Sequence, residues 1–279
     1  MNDKPHIAIL MATYNGSRYI REQIDSLLNQ TEKGWTLYVH DDGSNDDTVS
    51  IVDGYAGKHV GIVRLDYEPQ HGATANFLSL MQRVEADYYL FCDQDDVWMP
   101  TKVADEYAEM RRLEAEGARP IVVCTDLLVT DERLNVTNES FNRLSGIYPQ
   151  YIKTFNQCAA TTAATGCTMM FNRLARDSAL SHANVATMHD SIVVCSALKA
   201  GGTLHCIPVG TVYYRQHGCN TIGASDIRRM TIGYRLRHIK VHCKENLRHY
   251  RMLRALGYGS PLLYIYNKVA YKIRTRENK

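Results

Sequence analysis

The sequence predicts an α/β protein with a mostly parallel central sheet. Strand and helix patterns alternate through the first half of the chain, and repeated β-α-β order is typical of a parallel sheet covered by helices. The chain has 279 residues, of which 45% are hydrophobic and 22% are charged, so it can bury a large core. This composition excludes a disordered chain, a collagen and a small disulfide-bonded scaffold.

Apolar spacing places the individual elements in order along the chain. Residues 6–13 predict a buried strand, and residues 17–30 have the spacing of an amphipathic helix capped by Ser17. Further strands are predicted at 35–40, 60–65, 88–92, 121–129, 166–171 and 203–214. Further helices are predicted near 46–55, 75–84, 102–113, 174–180 and 190–200. A basic amphipathic helix follows from residue 227 to about residue 256, and a break rich in glycine separates it from a second short basic helix.

The charge of the chain is unevenly distributed. The whole sequence has 32 Lys and Arg against 30 Asp and Glu, but residues 226–279 have 14 basic and 3 acidic residues, a net charge of +11. Such a basic tail suits an anionic membrane surface, a nucleic acid or a phosphorylated partner. The alternative is a solvated helix face without a partner.

Cysteines and apolar runs indicate the compartment. The eight cysteines include no CxxC pair, which does not fit a zinc site or a disulfide framework. The N-terminus lacks the pattern of a signal peptide, and no apolar run approaches the roughly 20 residues of a membrane span. The sequence therefore predicts a cytoplasmic protein.

Acidic residues follow the predicted strand at 88–92, where a parallel sheet binds ligands at the carboxyl ends of its strands. Asp93, Asp95 and Asp96 put three carboxylates into four residues, and their mutual repulsion favours a bound cation. Aspartate oxygens suit Mg²⁺ or Mn²⁺, and a cation with open positions can hold a diphosphate. The alternative is a solvated turn in which Asp96 caps the next helix.

A second acidic loop follows the second predicted strand. Asp41 and Asp42 should face the end of the first strand, where Thr13, Tyr14 and Asn15 offer a hydroxyl, a ring and an amide to a nucleobase. An aspartate here can accept the imide N–H of uracil or thymine, although the loop can also be only a turn and helix cap. The sequence has no GxGxxG after the first strand, no GxxxxGK[ST] and no GxSxG, so dinucleotide, P-loop and serine-hydrolase sites are unsupported.

These segments together carry a family resemblance. Residues 12–16 (ATYNG), 41–48 (DDGSNDDT) and 93–98 (DQDDVW) resemble, in order and spacing, the motifs of family 2 glycosyltransferases, especially the bacterial rhamnosyltransferase-like branch. The resemblance covers roughly residues 5 to 220. It implies a GT-A fold over residues 1–222, with a nucleotide-sugar-binding half (1–100) and an acceptor-binding half (101–222), followed by a basic helical extension (223–279).

The resemblance also implies roles for the residues of the acidic loops. Thr13, Tyr14 and Asn15 would line the nucleotide pocket, and Asp41 or Asp42 would contact the base or the ribose. Asp93 would reach the ribose or the metal, Asp95 would bind the metal, and Asp96 would point to the donor sugar. The implied cofactor is Mg²⁺ or Mn²⁺.

Further roles fall on the second half of the chain. Asp190, in a segment similar to the family's His-Asp motif, would be the catalytic base, although Ser191 stands where the branch usually has an aromatic residue. Residues 215–220 (RQHGCN) resemble a loop that closes over the diphosphate, with Arg215 beside the diphosphate and His217 as a further metal ligand. Gly166 would let the donor sugar approach, and Asn76 is a further donor-site candidate.

The implied reaction is an inverting transfer of a sugar from a UDP- or dTDP-sugar to a hydroxyl of a glycan acceptor. The sugar would be of the rhamnose, glucose or galactose type, and the acceptor a lipid-diphosphate-linked glycan in O-antigen or capsule synthesis. The basic tail would then hold the enzyme on the inner face of an anionic membrane, unless it packs on the main domain or forms a homodimer.

Two other functions remain open from the sequence. A nucleotidyltransferase also joins a related sheet to carboxylate-bound Mg²⁺, but it usually has a glycine-rich basic loop after the first strand. A non-catalytic nucleic-acid-binding module would use the basic tail and would leave both acidic loops unexplained. We therefore expect no nucleic-acid partner.

Overall fold

The computed structural model describes residues 5–161, 163–218 and 239–276, and within these residues one sheet of nine strands forms the centre. The strands are β1 (Ile7–Thr13), β2 (Trp35–Asp41), β3 (Ile62–Arg64), β4 (Tyr88–Cys92), β5 (Val97–Trp98), β6 (Ile121–Thr130), β7 (Val136–Asn138), β8 (Met169–Asn172) and β9 (Thr203–Arg215). The helices are α1 (Ile20–Leu28), α2 (Thr48–Ala56), α3 (Ala73–Arg83), α4 (Lys102–Glu114), α5 (Phe141–Ser145), α6 (Arg173–Leu180), α7 (His189–Lys199), α8 (Ile239–Ala255) and α9 (Pro261–Arg274).

The sheet is parallel in its first half and mixed in its second half. Its strand order is β3-β2-β1-β4-β8-β6-β9-β5, with β7 paired to β6. Strands β1 to β4 pair in parallel, as predicted, but β8 runs antiparallel to both β4 and β6. The α/β class is confirmed, and the second half is mixed because β6 pairs in parallel with β9 but antiparallel with β8 and β7. A short apolar run such as β8 has the same pattern in either direction, so the sequence does not reveal its orientation.

Strand β1 is a continuous apolar run because helices cover both faces of the sheet at this strand. Ile9 points to the face on which α1 packs Ile24, while Leu10 points to the opposite face, where α3 packs Leu80. All four side chains are fully buried. Because successive strand residues face opposite sides, a strand between two helical layers needs apolar residues at every position.

Some local predictions were wrong in detail. Helix α1 begins at Ile20, and Ser17 does not cap it; the Ser17 backbone N–H donates instead to the Asp46 carboxylate at 3.0 Å. The short elements β5, β7 and α5 were not predicted, because they are too brief for periodicity to detect. The predicted loop residues Cys219 and Asn220, and the start of the predicted tail helix near residue 227, lie outside the described residues.

Helices α8 and α9 pack against the second half of the sheet domain. Met252, Leu253 and Leu256 are buried in the same hydrophobic cluster as α7. Tyr258 Oη donates to the Asn156 carbonyl at 3.1 Å. The C-terminal half of the predicted tail stripe therefore packs on the main domain, as one of the two alternatives proposed. Among the described residues, no helix combines the length and the apolar character needed to span a membrane.

Candidate active site

The loops after β1, β2 and β4 meet at one edge of the sheet and are cross-linked by side chains. The Gln94 amide bridges the first and third loops, because Oε1 accepts from the Tyr14 N–H at 3.0 Å and Nε2 donates to the Tyr14 carbonyl at 2.9 Å. Asn15 joins the first and second loops through Oδ1, which accepts from the Asn45 N–H at 2.9 Å. The predicted meeting of these loops is therefore present in the structure.

Asp41 holds its own loop together. Its carboxylate accepts from the Thr13 hydroxyl at 2.8 Å, from the Ser44 hydroxyl at 2.6 Å and from the Ser44 and Gly43 N–H groups at 2.7 and 3.1 Å. Each oxygen receives two of these bonds, which fills the acceptor capacity of a carboxylate. Thr13 is buried by this contact, whereas Tyr14 remains 54% exposed at the rim.

Asp42 fastens the segment that leads into α3. Its Oδ1 accepts from the backbone N–H groups of Gln70 at 2.5 Å and His71 at 2.9 Å, and its Oδ2 accepts from that of Gly72 at 2.6 Å. His71 has a positive φ of 58°, so the turn is a conformation that few residues adopt freely. The Asp42 carboxylate is thus anchored but has fewer donors than that of Asp41.

The loop at residues 93–96 concentrates negative charge at the end of β4. Enclosure by the protein and the charges of Asp95 and Asp190 raise the pKa of Asp93 to about 7. The pKa of Asp96 is also raised, first by burial and then by its acidic neighbours. Asp96 Oδ2 is buried without a hydrogen-bond partner. Carboxylates crowded in this way repel one another, which is a condition that a bound cation relieves.

Arg215 is buried beneath the 93–96 loop and fixes its shape. Its guanidinium donates from Nε to the Asp95 carbonyl at 2.9 Å, from Nη1 to the Glu132 carbonyl at 2.6 Å and from Nη2 to the Glu22 carboxylate at 2.8 Å. Its backbone N–H donates to Asp96 Oδ1 at 3.2 Å. The side chain is only 2% exposed and is already engaged by protein acceptors, so the prediction that it faces the diphosphate directly has no geometric support here.

His217 lies directly beside Asp95. His217 Nε2 is 2.8 Å from Asp95 Oδ2, and its ring packs on Tyr19 with centroids 4.8 Å apart. Both side chains are mostly buried, with 9% of the histidine and 18% of the aspartate exposed. The structure therefore brings together two of the three predicted metal ligands.

The donor set of this region fits a divalent cation. One ligand atom each from Asp93, Asp96 and Cys167 lie within 4.8 Å of one another. Burial raises the pKa of the Cys167 thiol well above its usual range, so this group stays protonated and is a poor ligand for a hard cation. The carboxylates and His217 are the groups that suit Mg²⁺ or Mn²⁺.

Asp190 lies in the first turn of α7, where the helix dipole favours a negative charge. Its carboxylate is 8% exposed and accepts from the Ser191 N–H at 2.5 Å. The charge of Asp190 contributes to the raised pKa of Asp93, which places the two carboxylates in one electrostatic environment. His189, the residue before Asp190, packs its ring on Phe91 of β4 with centroids 4.7 Å apart, so Asp190 lies near the end of the strand that the 93–96 loop follows.

Two predicted donor-site residues have other contacts in the structure. A Cβ on Gly166 would lie 2.7 Å from Nε2 of His189, so the absence of a side chain at Gly166 makes room for the His189 ring. Asn76 is 1% exposed, and both of its polar atoms bind His40, with Oδ1 at 2.8 Å from Nδ1 and Nδ2 donating to the carbonyl at 3.2 Å. These contacts give Asn76 a structural role and leave no polar atom of its amide directed at a donor.

The comparison with protein families adds to this geometry. Residues 8–178 match the family described as glycosyl transferase family 2. The chain belongs to glycosyl transferase family 2. This membership confirms the resemblance of the three sequence motifs, and it favours a glycosyltransferase over the nucleotidyltransferase and nucleic-acid-binding alternatives.

Sequence relatives of this family 2 chain align over part of their length. The dTDP-rhamnosyl transferase RfbG of Shigella flexneri is 34% identical over 98 residues, which cover 33% of this chain and 34% of that protein. The uncharacterized glycosyltransferase RP339 of Rickettsia prowazekii is 30% identical over 120 residues, which cover 43% of this chain and 36% of that protein. The chain thus spans about a third of the length of these two relatives.

Solved structures confirm the predicted GT-A fold. Residues 1–349 of TarS of S. aureus in complex with UDP match with a TM-score of 0.56 and 16% identity, over 98% of this chain and 90% of that one. The mannosyltransferase PcManGT of Pyrobaculum calidifontis, in complex with GDP-Man and Mn²⁺, matches with a TM-score of 0.60 and 15% identity, over 98% of this chain and 70% of that one. At these identities the likeness establishes the fold.

The structure also adds site residues that the sequence analysis did not identify. Gln94 bridges two loops, and Tyr19 packs between Arg215 and His217, with its ring 4.6 Å from the guanidinium carbon. Gln94 lies inside the acidic motif and was open to detection there. Glu22, which pairs with Arg215, lies in an amphipathic helix where an acidic residue has no distinguishing signal.

Proposed function

We propose that this family 2 protein is an inverting, metal-dependent glycosyltransferase that uses a UDP- or dTDP-sugar. The observation that carries the proposal is the meeting of the β1, β2 and β4 loops at one edge of the sheet, near which the contact of His189 with Phe91 holds the start of α7 and Asp190. Donor binding is assigned to residues 1–100 and acceptor binding to residues 101–222.

The nucleotide is assigned to the β1 and β2 loops. The exposed Tyr14 ring offers a stacking surface for the base, and Asn15 holds the adjoining turn. Of the two aspartates, Asp42 is the better contact for the nucleobase. Its Oδ1 accepts two hydrogen bonds but its Oδ2 accepts only one, whereas all acceptor positions of Asp41 are filled. The remaining lone pair suits the imide N–H of uracil or thymine.

The cation is assigned to Asp95, Asp93 and His217. When bound, Mg²⁺ or Mn²⁺ supplies positive charge to the departing nucleoside diphosphate. Asp96 supports the loop from below through the Arg215 backbone and adds negative charge to the region. Arg215 acts as a positioning residue, because it holds the carbonyl of Asp95 and not the substrate.

Asp190 is assigned as the catalytic base. The acceptor hydroxyl oxygen forms a bond to the anomeric carbon, the bond from that carbon to the diphosphate oxygen breaks, and the hydroxyl proton passes to the Asp190 carboxylate. Attack on the face opposite the leaving group inverts the anomeric centre. Such a base contributes about 10²–10⁴-fold to the rate.

The donor sugar and the acceptor are proposed by analogy with the sequence relatives. The similarity to a dTDP-rhamnosyl transferase supports rhamnose as a first donor sugar to test, beside glucose and galactose types. We propose a lipid-diphosphate-linked glycan as the acceptor, in cell-surface polysaccharide synthesis at the cytoplasmic face of the membrane. The positive charge of residues 226–279 suits attachment to that surface.

The test is nucleotide release from a panel of UDP- and dTDP-sugars, with Mg²⁺ or Mn²⁺ and with EDTA, with and without a lipid-diphosphate acceptor. We expect release from one donor that is lost with EDTA, in Asp95→Ala and in Asp190→Asn. Asp105→Asn, an exposed carboxylate of α4, is the matched control and should keep full activity. Donor binding that survives both EDTA and Asp95→Ala would contradict the metal assignment, and transfer that survives Asp190→Asn would contradict the base.

A further inference from the structure

Helix α9 carries an apolar stripe that faces away from the protein. Its members are exposed by 50–78%: Leu262, Ile265, Tyr266, Val269 and Ile273. Their spacing places them within roughly 100° of the helix circumference. They make up five of the twelve large hydrophobic side chains that are exposed in the described part of the chain. A concentrated exposed apolar surface of this kind marks an interaction site.

The opposite face of α9 fixes the helix in this orientation. Tyr264 is buried in the hydrophobic cluster of the second half of the domain. Tyr271 Oη accepts from the Tyr148 N–H at 2.6 Å, and Lys268 Nζ donates to Asn246 Oδ1 at 2.7 Å. Rotating the stripe inward would break these contacts, so its exposure is a property of the packed structure.

The charge around the stripe selects the kind of partner. Residues 239–276 contain nine Lys and Arg and one acidic residue, Glu245. Lys272, Arg274 and Arg276 of this set are exposed at the C-terminal end of the stripe. A second copy of this surface would bring like charges together, whereas an anionic surface complements them.

We propose that the apolar stripe of α9 inserts into the interface of an anionic lipid bilayer. An apolar face flanked by Lys and Arg suits a helix that lies in the plane of the headgroups. The sequence analysis assigned membrane contact to the whole basic tail, residues 227–279, but in the described part of the first predicted tail helix Leu253 is buried against the domain. The structure therefore narrows the proposed contact from the whole tail to α9.

Helix α8, on which α9 packs through Tyr250 and Tyr264 with ring centroids 5.2 Å apart, contacts the segment that leads to the candidate site. Met252 of α8 accepts at Sδ from the Thr187 hydroxyl at 3.4 Å, and Thr187 lies two residues before α7, whose first turn contains Asp190. His249 Nε2 is 2.9 Å from the Cys158 carbonyl. This connection would hold the acceptor-binding half near a lipid-linked acceptor, an inference that rests on the proposed function.

The test is cosedimentation of the full chain with phosphatidylcholine vesicles that contain either no anionic lipid or about 30% phosphatidylglycerol. We expect binding to the anionic vesicles, weakened when NaCl is raised from about 0.1 M to about 0.5 M. Ile265→Gln/Val269→Gln should lower the partition coefficient about tenfold or more, because two aliphatic side chains no longer enter the interface. Both positions are at least half exposed, so the melting temperature should be unchanged.

The matched control is Val60→Gln/Val209→Gln, which replaces two valines that are 99% and 55% exposed elsewhere and should bind like the wild type. Equal loss in both double variants, or no binding by the wild type, would overturn the proposal. A wild-type dimer in light scattering that the α9 variant converts to a monomer, without vesicle binding, would also overturn it in favour of self-association. Asp190→Asn should bind vesicles normally, so an error in the proposed reaction is distinguishable from an error in the docking surface.

Discussion

Arg215 gives the sharpest test of how the site is held together. The sequence resemblance places this side chain beside the diphosphate, whereas the structure engages it with the protein beneath the 93–96 loop. The two roles predict different consequences for Arg215→Met. This substitution keeps an apolar stem against the Tyr19 ring and removes all guanidinium hydrogen bonds.

The cost of the substitution can be estimated from the groups that lose a partner. The carbonyls of Asp95 and Glu132 are partly buried and would each lose a charged donor. Glu22 is 53% exposed and regains water, so its loss costs little. Unsatisfied acceptors of this kind lower the free energy of unfolding by about 2–4 kcal/mol in total. For a domain of this size that is a decrease in Tm of about 5–15 °C.

Thermal unfolding followed by circular dichroism measures this effect, and nucleotide release measures its consequence at the site. Arg215→Lys should recover only part of the lost stability, because one ammonium group cannot reach three acceptors in different directions. Arg112→Met is the matched control: Arg112 pairs with Glu109 and Glu116 on the surface of α4, and its loss should leave Tm unchanged.

The positioning role of Arg215 would be refuted by an unchanged Tm in Arg215→Met together with weaker binding of the nucleotide-sugar. That result is the one expected if the guanidinium contacts the diphosphate. A lower Tm with a lower kcat, reproduced less severely by Arg215→Lys, is the result that the geometry predicts.

Three further outcomes are expected. Asp190→Asn should lower kcat about 10²–10⁴-fold in transfer assays without weakening donor binding in calorimetry, and equal losses in both would contradict its role as base. Gly166→Ala should lower the free energy of unfolding in urea by about 1–3 kcal/mol through the clash with His189, whereas the open Gly54→Ala in α2 should raise it slightly. Burial raises the pKa of Glu106 from 4.5 to about 7, so the native state retains a proton that the unfolded chain releases, and stability should fall as pH rises through this interval. The urea midpoint should decrease less steeply with rising pH in Glu106→Gln than in the wild type. Parallel plots of midpoint against pH for the two proteins would contradict this.

The first half of the fold was predictable from the sequence because its elements are local and regular. Strand β4 begins and ends where its apolar run does, and β1, β2 and α4 differ from their predictions by one residue at an end. The second half was less predictable. The direction of β8 depends on the strands that flank it, and neither neighbour is adjacent to it in sequence.

The candidate site was likewise predictable only in part. The sequence located the acidic loops because carboxylates at strand ends have a recognisable local pattern, whereas Asp190 was identified only through the resemblance to the family's His-Asp motif. It did not distinguish Asp41, whose acceptor positions are filled by loop donors, from Asp42, which keeps one open. Nor did it identify Asn76 as a partner of His40, since that bond joins α3 to β2.

The sequence by itself determined the α/β class, the positions of the first four strands along the chain and the edge of the sheet at which the acidic loops lie. These follow from apolar periodicity and from the rule that parallel strands present their carboxyl ends together. Only the tertiary structure decided what each polar or apolar face meets. Arg215 binds acceptors from α1, the 93–96 loop and the turn after β6, and α9 turns Tyr264 and Tyr271 inward and its apolar stripe outward. Periodicity defines a face of a helix, but only long-range packing determines whether that face meets the core or the surroundings.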